Sequence, residues 1–448
     1  MTDRFDRIAA FALHLSPSDI PDSTLHAAAL MTLDTLGVVA ASTPMEAGVF
    51  ARDAADLLYA SNDPGHAARM MFDGRNVSLA GAAYAAATQT DNLDAHDGFN
   101  PVKGHIGVAV IPALSALAQH LPDLSGPEAL AAITVGYEIA GRAGLALHAS
   151  VSDYHTSGAW NGLGVAAVAA RLRGHSPDQL RQGLGIAEYH GPRSQMMREI
   201  ANPTMLHDGS GWGAMVGISA AILAERGFTG APAITVEAES AARHWGDLGH
   251  VWQMEQQYIK PYPICRWAHA AIDAVGHIMQ THDLTHDQIT RVQISSFHEA
   301  ACLFPDMPET TSQAQYSLRF AVASQMVHGT IGVAQISGPG LSDPVVAAIL
   351  PKIEVVETAT HNARFPTHRT ADAEVETRDG RVLHSGDTHA RGGVEVPMSE
   401  AEITGKFMGF AAPCLGEPRA AAIRDRVLSL TQAESRISDL LPLLCEPL

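Results

Sequence analysis

Cysteine is scarce and does not cluster. Cys265, Cys302, Cys414 and Cys445 are far apart and form no CxxC pair. That argues against a zinc knuckle or a disulfide framework and fits a reducing cytoplasm, the expected location. Basic residues are few: 29 Lys and Arg stand against 48 Asp and Glu, for a formal charge of −19. Such a chain lacks the basic footprint that nucleic acid and anionic membranes require, so neither is expected as a partner. No uninterrupted apolar run reaches the roughly 18 residues of a membrane span. The N-terminal stretch MTDRFDRIAAFALHL carries Asp3 and Asp6 and has neither a long apolar core nor a small-residue cleavage site. No signal peptide is read there.

Several signatures of chemistry are also missing. There is no GxGxxG after a strand, no phosphate-binding GxxxxGKS/T loop, no GxSxG elbow and no HExxH. His96, Asp97 and His105 fall close together, but at no diagnostic metal-ligand spacing. No metal is expected to be needed for activity.

What is present is a long apolar chain: 448 residues, 46% hydrophobic and 17% charged, with 23 histidines that titrate near neutrality. Disorder is excluded, and the length suggests two large domains or about three ordinary ones. The first 260 or so residues are rich in Ala, Leu and Gly at helical spacing. In SPSDIPDSTLHAAALMTLDTLGVVAAS, Leu30, Leu33 and Leu36 fall on one face. Ser125–Glu128 and Ser399–Glu402 read as capping boxes, and Ser176–Gln179 as another helix start, with Pro177 at the first helical position. WGAMVGISAAILAERG reads as a helix buried on most sides.

After KPYPICRW the pattern changes. RVQISSF (291–297) and KIEVVET (352–358) alternate as strands do, and DAEVETRDGRVLHSGD signals a hairpin turning at Asp379-Gly380 in a type I′ turn. The reading is a mainly α fold. A large helical domain comprises 1–267 and 396–448, and a smaller α+β domain spans 268–395, with the C-terminal helices packed back on the first domain.

Four polar clusters carry candidate chemistry. DNLDAHDGFNPVKGHIG crowds Asp91, Asp94, His96, Asp97, Lys103 and His105 into a Gly- and Pro-rich loop before an apolar helix, which fits a functional loop as well as a solvated one. YHTSGAWNGLG places His155 at a helix start, as a reactive imidazole or a capping one. PTMLHDGSGWGA places His207 and Asp208 ahead of a Gly-spaced helix, suited to holding a carboxylate or to close helix packing. YIKPYPICRWAHAAIDA carries Lys260, Arg266 and His269 on a proline-stiffened junction, as anion ligands or as a salt-bridged hinge.

These stretches, with GLGIAEYHGPRSQM, QYSLRFAVA and PMSEAEITGKF, resemble the MmgE/PrpD family in the family's order over most of the chain. The family includes 2-methylcitrate dehydratase, cis-aconitate decarboxylase and iminodisuccinate epimerase. The resemblance implies a small di- or tricarboxylate substrate, no metal or organic cofactor, a helical domain built from both chain ends, an active site between the two domains, and a homodimer. It also places Asp94 and His105 on the family's first active-site loop, His155 on its second histidine and Lys260 on its KPYP lysine. Two positions depart from the dehydratase and decarboxylase branches. A lysine there falls on about Thr204 here, and a tyrosine falls on Phe320. The LDAHDG and VKGH loop is closer to the epimerase-like branch.

Chemistry next to a carboxylate needs a positioned base and cations facing the developing enolate-like charge. Asp94, His105, His155 and Lys260 are the candidate catalytic residues. His96, Lys103, His207, Arg266 and His269 are the candidate substrate ligands, with Lys103, Lys260 and Arg266 as cations. His105 and Lys260 are expected to share one cavity. The leading reading is an epimerase acting on an iminodisuccinate-like dicarboxylate. The alternatives are a hydro-lyase of the 2-methylcitrate type, a cis-aconitate-type decarboxylase, and a non-catalytic binding protein on the same scaffold.

Overall fold

Serine hydroxyls set where many of the helices begin. In the computed structural model, which describes residues 2–448, Ser176 and Ser399 form full capping boxes with Gln179 and Glu402. The helices that follow are Pro177–His190 and Glu400–Leu415. Ser125 makes only half of the expected box. Its Oγ accepts the Glu128 N–H at 3.3 Å, but the Glu128 carboxylate turns away to Arg171.

The chain divides into two compact units. The first comprises residues 1–196, 207–257 and 399–448 and is almost wholly helical. Its only strands among the described residues are the short antiparallel pair β1 (Ala67–Arg69) and β2 (Asn76–Ser78). Helices Asp22–Ser42 and Gly126–His148 are long and apolar enough to cross a membrane, yet both lie buried inside this unit, where their apolar residues form core. Asp22–Ser42 is covered nearly all round in its second half, so the single Leu30–Leu33–Leu36 face understates its burial.

Helix Ser210–Glu225 is buried or half-buried at every position but Trp212, Leu223 and Glu225, as expected of a helix covered on most sides. A Cβ on Gly217 would stand 2.5 Å from the Gly162 carbonyl, so the glycine is what lets this helix touch Gly158–Leu172. Trp212 and Leu223 face outward. The chain's end closes on its beginning. Glu400–Leu415 lies along Asp22–Ser42, with Phe407 against Gly37, and Lys406 Nζ meets Asp34 Oδ1 at 2.5 Å.

The second unit comprises residues 197–206 and 258–398. Its sheet has the order β4 (Ile353–Glu357), β3 (Ile289–Ser296), β5 (Thr370–Thr377), β6 (Val382–His384), with β7 (Thr388–His389) also on β5. β3 and β4 run parallel; the other pairs are antiparallel. Residues of β5 alternate between covered and partly open, as one-sided packing requires. Helix Arg266–Thr281 packs against the sheet.

By its contacts the chain changes unit at 196/197, 206/207, 257/258 and 398/399, against 267/268 and 395/396 expected from the sequence. Residue 267 lies in the first turn of Arg266–Thr281, and a helix packs as one piece. The β5–β6 connection is also not a type I′ turn, which needs positive φ at both central residues. Only Gly380 has one, at 85°. Thr377 N–H donates to the Arg381 carbonyl at 3.0 Å and Gly380 N–H to the Thr377 carbonyl at 3.0 Å, so Arg378–Gly380 form a three-residue loop.

Candidate active site

In the first unit the Gly-rich loop between helices Leu79–Asp91 and Gly107–Ala118 is folded inward, and its polar residues are buried. Asp94 begins the loop at a φ of 52°, with its N–H on the Asp91 carbonyl. His105 ends it. Its Nδ1 donates to the Asp97 carbonyl at 2.6 Å, because a carbonyl can only accept. Its Nε2 faces Asp208 Oδ2 at 3.3 Å.

Asp208 is itself held. Its Oδ1 accepts from the N–H of Ser157 at 3.0 Å and from the Ser157 hydroxyl at 2.9 Å. Ser157 Oγ in turn accepts the His105 N–H at 2.9 Å. The loop, the start of helix Gly158–Leu172 and the HDG turn are thereby tied into one constellation. A His–carboxylate pair buried with its ring orientation fixed is an arrangement suited to moving protons.

His96 packs edge-on against His105, with ring centroids 4.4 Å apart, and its Nε2 lies 3.5 Å from Asp91 Oδ1. Asp91 also receives the Ser210 N–H at 3.0 Å, at the start of helix Ser210–Glu225. Asp97 sits beneath the loop beside Tyr137 and the Gly107 N–H. Burial, then the charge of Asp34, pushes its carboxyl up to about 7. A Cβ on Gly107 would lie 2.1 Å from the Tyr137 hydroxyl and 2.3 Å from Asp97 Oδ1, so this loop–helix junction needs glycine.

The second candidate histidine belongs to a neighbouring group. The His155 N–H donates to His148 Nε2 at 3.3 Å, which requires that nitrogen to be unprotonated. Burial first, then Lys103 and His155, brings the His148 pKa down to about 4. Lys103, at a φ of 55°, lays its ammonium 4.4 Å from the Tyr154 ring centroid, and the Tyr154 hydroxyl donates to the Lys103 carbonyl. The buried Nδ1 of His155 has no hydrogen-bond partner among the described residues. His207 is buried immediately before Asp208.

In the second unit Lys260 and His269 are buried. His269 Nε2 donates to the Ile264 carbonyl at 2.9 Å. Arg266 spends its guanidinium on structure. Its two terminal nitrogens donate to the Ala390 and Arg391 carbonyls at 2.9 and 2.6 Å, and it stacks 4.4 Å from the Tyr258 ring centroid. Burial lowers its pKa to about 10. These contacts brace the 390–391 segment through its carbonyls. Phe320 is fully buried, and Thr204 is exposed, with its hydroxyl accepting the Leu206 N–H at 3.2 Å.

The sequence places Asp208 beside His207 but gives no sign that it pairs with His105. The HDGSG stretch held the only local hint, a carboxylate ahead of a helix start; the pairing itself spans distant segments. Tyr316, four residues before Phe320, was missed too. Its buried hydroxyl donates to Glu199, so this part of the chain does carry a phenol.

Comparison with known proteins bears on this architecture. The chain is 24% identical to cis-aconitate decarboxylase of Aspergillus terreus (strain NIH 2624 / FGSC A1156), over 98% of this chain and 94% of that one. It is 25% identical to cis-aconitate decarboxylase of Homo sapiens, over 96% and 91% of the two chains. With cis-aconitate decarboxylase of Mus musculus it shares 24% identity over 80% and 76%. Residues 6–246 match the MmgE/PrpD N-terminal domain and residues 262–432 the MmgE/PrpD C-terminal domain, so this chain belongs to the MmgE/PrpD family of enzymes.

Proposed function

We propose that this enzyme moves a proton on a carbon next to a carboxylate of a small di- or tricarboxylate, with His105 as the base, and that its reaction is epimerisation. The observation that carries the reading is the Asp97–His105–Asp208–Ser157 chain. Nδ1 is committed to a carbonyl, so Nε2 is the atom that exchanges protons, and Asp208 stabilises the imidazolium that forms. As the C–H bond breaks, its electron pair moves toward the carboxylate, and Lys260 is the cation proposed to face that charge. Epimerisation then needs a proton returned to the opposite face. His155 supports this role through an Nδ1 not held by any neighbour among the described residues. Asp94, His96, Lys103 and His207 are proposed to complete the substrate's surroundings.

Two positions favour epimerisation over bond cleavage. By the resemblance, the branch lysine falls on about Thr204, which is exposed, and the branch tyrosine on buried, apolar Phe320, so two proton donors of those branches have no counterpart at these positions. A lyase reading stands second. It is favoured by the cis-aconitate decarboxylase relatives and by the buried Tyr316–Glu199 pair, a phenolic donor close in sequence to the lost one.

Proton NMR in deuterated water with a panel of iminodisuccinate stereoisomers, cis-aconitate and 2-methylcitrate separates the readings. Epimerisation gives deuterium at the carbon next to the carboxylate together with stereoisomer interconversion. Release of CO2 from cis-aconitate, or a new conjugated alkene from 2-methylcitrate, would replace it with the lyase reading.

A further inference from the structure

A second cluster of reactive side chains lies in the α+β unit, at the end of the sheet where β7 pairs with β5. His389 closes β7 opposite Thr370, and His368 stands two residues before Thr370 on the approach to β5. The two imidazoles therefore leave neighbouring strands at one end of the sheet, with ring centroids 5.7 Å apart, edge to face. Glu395 reaches them from the loop that follows β7. Its Oε1 lies 2.7 Å from His368 Nδ1 and 4.0 Å from His389 Nδ1. One ligand atom from each of the three side chains falls within 4.8 Å of the other two. All three side chains are between 31% and 46% exposed, so an ion could reach them from solvent.

We propose that His368, His389 and Glu395 bind one divalent transition-metal ion of the zinc type. Two imidazoles and one carboxylate are a borderline donor set that suits zinc and disfavours calcium or magnesium, which take mainly oxygen. Tetrahedral ligands about 2.0 Å from zinc stand about 3.3 Å from one another. The separations of 2.7 and 4.0 Å from Glu395 bracket that value and the two imidazoles offer nitrogens within 4.8 Å of each other, so side-chain rotations that draw the imidazoles together complete three corners. Water takes the fourth from the solvent side.

The ion would act as a clamp. His389 and Glu395 flank residues 390–394, and these hold parts of the unit with their backbone. The Ala390 and Arg391 carbonyls accept from Arg266, and the Gly392 carbonyl accepts the Ile259 N–H at 2.9 Å, next to Lys260. Closing both ends of the segment on one ion restricts the loop that fixes these neighbours.

The test uses tag-free, full-length protein stripped with a chelator. Calorimetric titration with zinc should show one saturable site per chain, unaffected by excess calcium or magnesium. His368→Ala, His389→Ala and Glu395→Gln should each weaken binding at least about tenfold, since even outer-shell partners of a bound metal are worth that much. His384→Ala, an exposed histidine on β6, should leave it unchanged. Cobalt should give the visible absorption of a four-coordinate ion, and the three variants should lose it. Zinc should also slow amide exchange across residues 390–396 in the wild type but not in His389→Ala. The proposal is overturned if the stripped wild type binds no zinc saturably, or if the folded ligand variants bind zinc as tightly as the wild type does.

Discussion

At His105 the ring is gripped from both sides, and the grip defines what each neighbour contributes. Asp208→Asn would leave the shape while removing the charge that stabilises a protonated ring. Turnover should fall on the order of 100- to 10,000-fold with far-ultraviolet circular dichroism unchanged. Near-normal turnover in that variant would dismiss Asp208 as the orienting group. His155→Gln probes the acid proposed for the opposite face. Deuterium should still enter one stereoisomer of the substrate while interconversion stops; loss of exchange from both would make His155 essential to either direction. Lys260→Ala should cost about 100- to 1000-fold in turnover, the usual worth of one charge-stabilising donor.

Asp97 gives a pH prediction. Burial, then Asp34, pushes its carboxyl up to about 7, against roughly 3.9 in an unfolded chain. Between those values the folded state holds more protons. The carboxyl's contribution to stability is therefore complete below about 4 and is lost as pH rises through about 7. Glu138 behaves alike, raised to about 7 by burial despite Arg142. Urea midpoints measured across that window should fall less steeply with pH in Asp97→Asn than in the wild type. Parallel profiles would contradict the assignment.

At the scale of elements, caps and close approaches carry the argument. Ser399 Oγ accepts the Glu402 N–H, and the Glu402 carboxylate accepts the Ser399 N–H, so Ser399→Ala should lower unfolding free energy by about 1 kcal/mol. Gly107→Ala forces a methyl onto Tyr137 and Asp97, and overpacking of this kind costs about 1–3 kcal/mol. It should also displace the loop that carries His105, so activity should fall further than stability alone explains. The caps are local in sequence, and so were legible there; the approach of Gly107 to Tyr137 joins distant segments and was not. Ser176, Ser399, the strands at 289–296 and 353–357 and the hairpin after 370 could all be read from the residues themselves. The form of the hairpin turn could not. Asp379-Gly380 permits a two-residue loop, but the chain takes a three-residue one closed by the Thr377–Arg381 pairing.

At the scale of the whole chain, the two ends of the sequence build one helical unit. Lys406 reaches both Asp34 and the Ala95 carbonyl, so the C-terminal segment supports the start of the His105 loop as well as the core helix Asp22–Ser42. Deleting residues 399–448 would strip an apolar face from that helix and leave Asp34 buried without its cation. The truncated chain should be insoluble or lack a cooperative thermal transition; a soluble, cooperatively folding product would refute this. We further propose a homodimer, which light scattering would register as a mass near twice 47.3 kDa.

By itself the sequence determined the fold class, the helix starts, most strands and the family, because caps, alternation and contiguous motifs act over a few residues. It also placed His105, His155 and Lys260 on those motifs. Tertiary structure alone decided which carboxylate serves His105. Asp94 is nearer in sequence, yet the chain folds the HDG turn onto Ser157 and brings Asp208 to Nε2. It likewise decided that Arg266, a cation by composition, is engaged with the Ala390 and Arg391 carbonyls, and that His368, His389 and Glu395 meet. Such pairings depend on where distant segments are packed and how much water they exclude, and no local pattern of residue types encodes either.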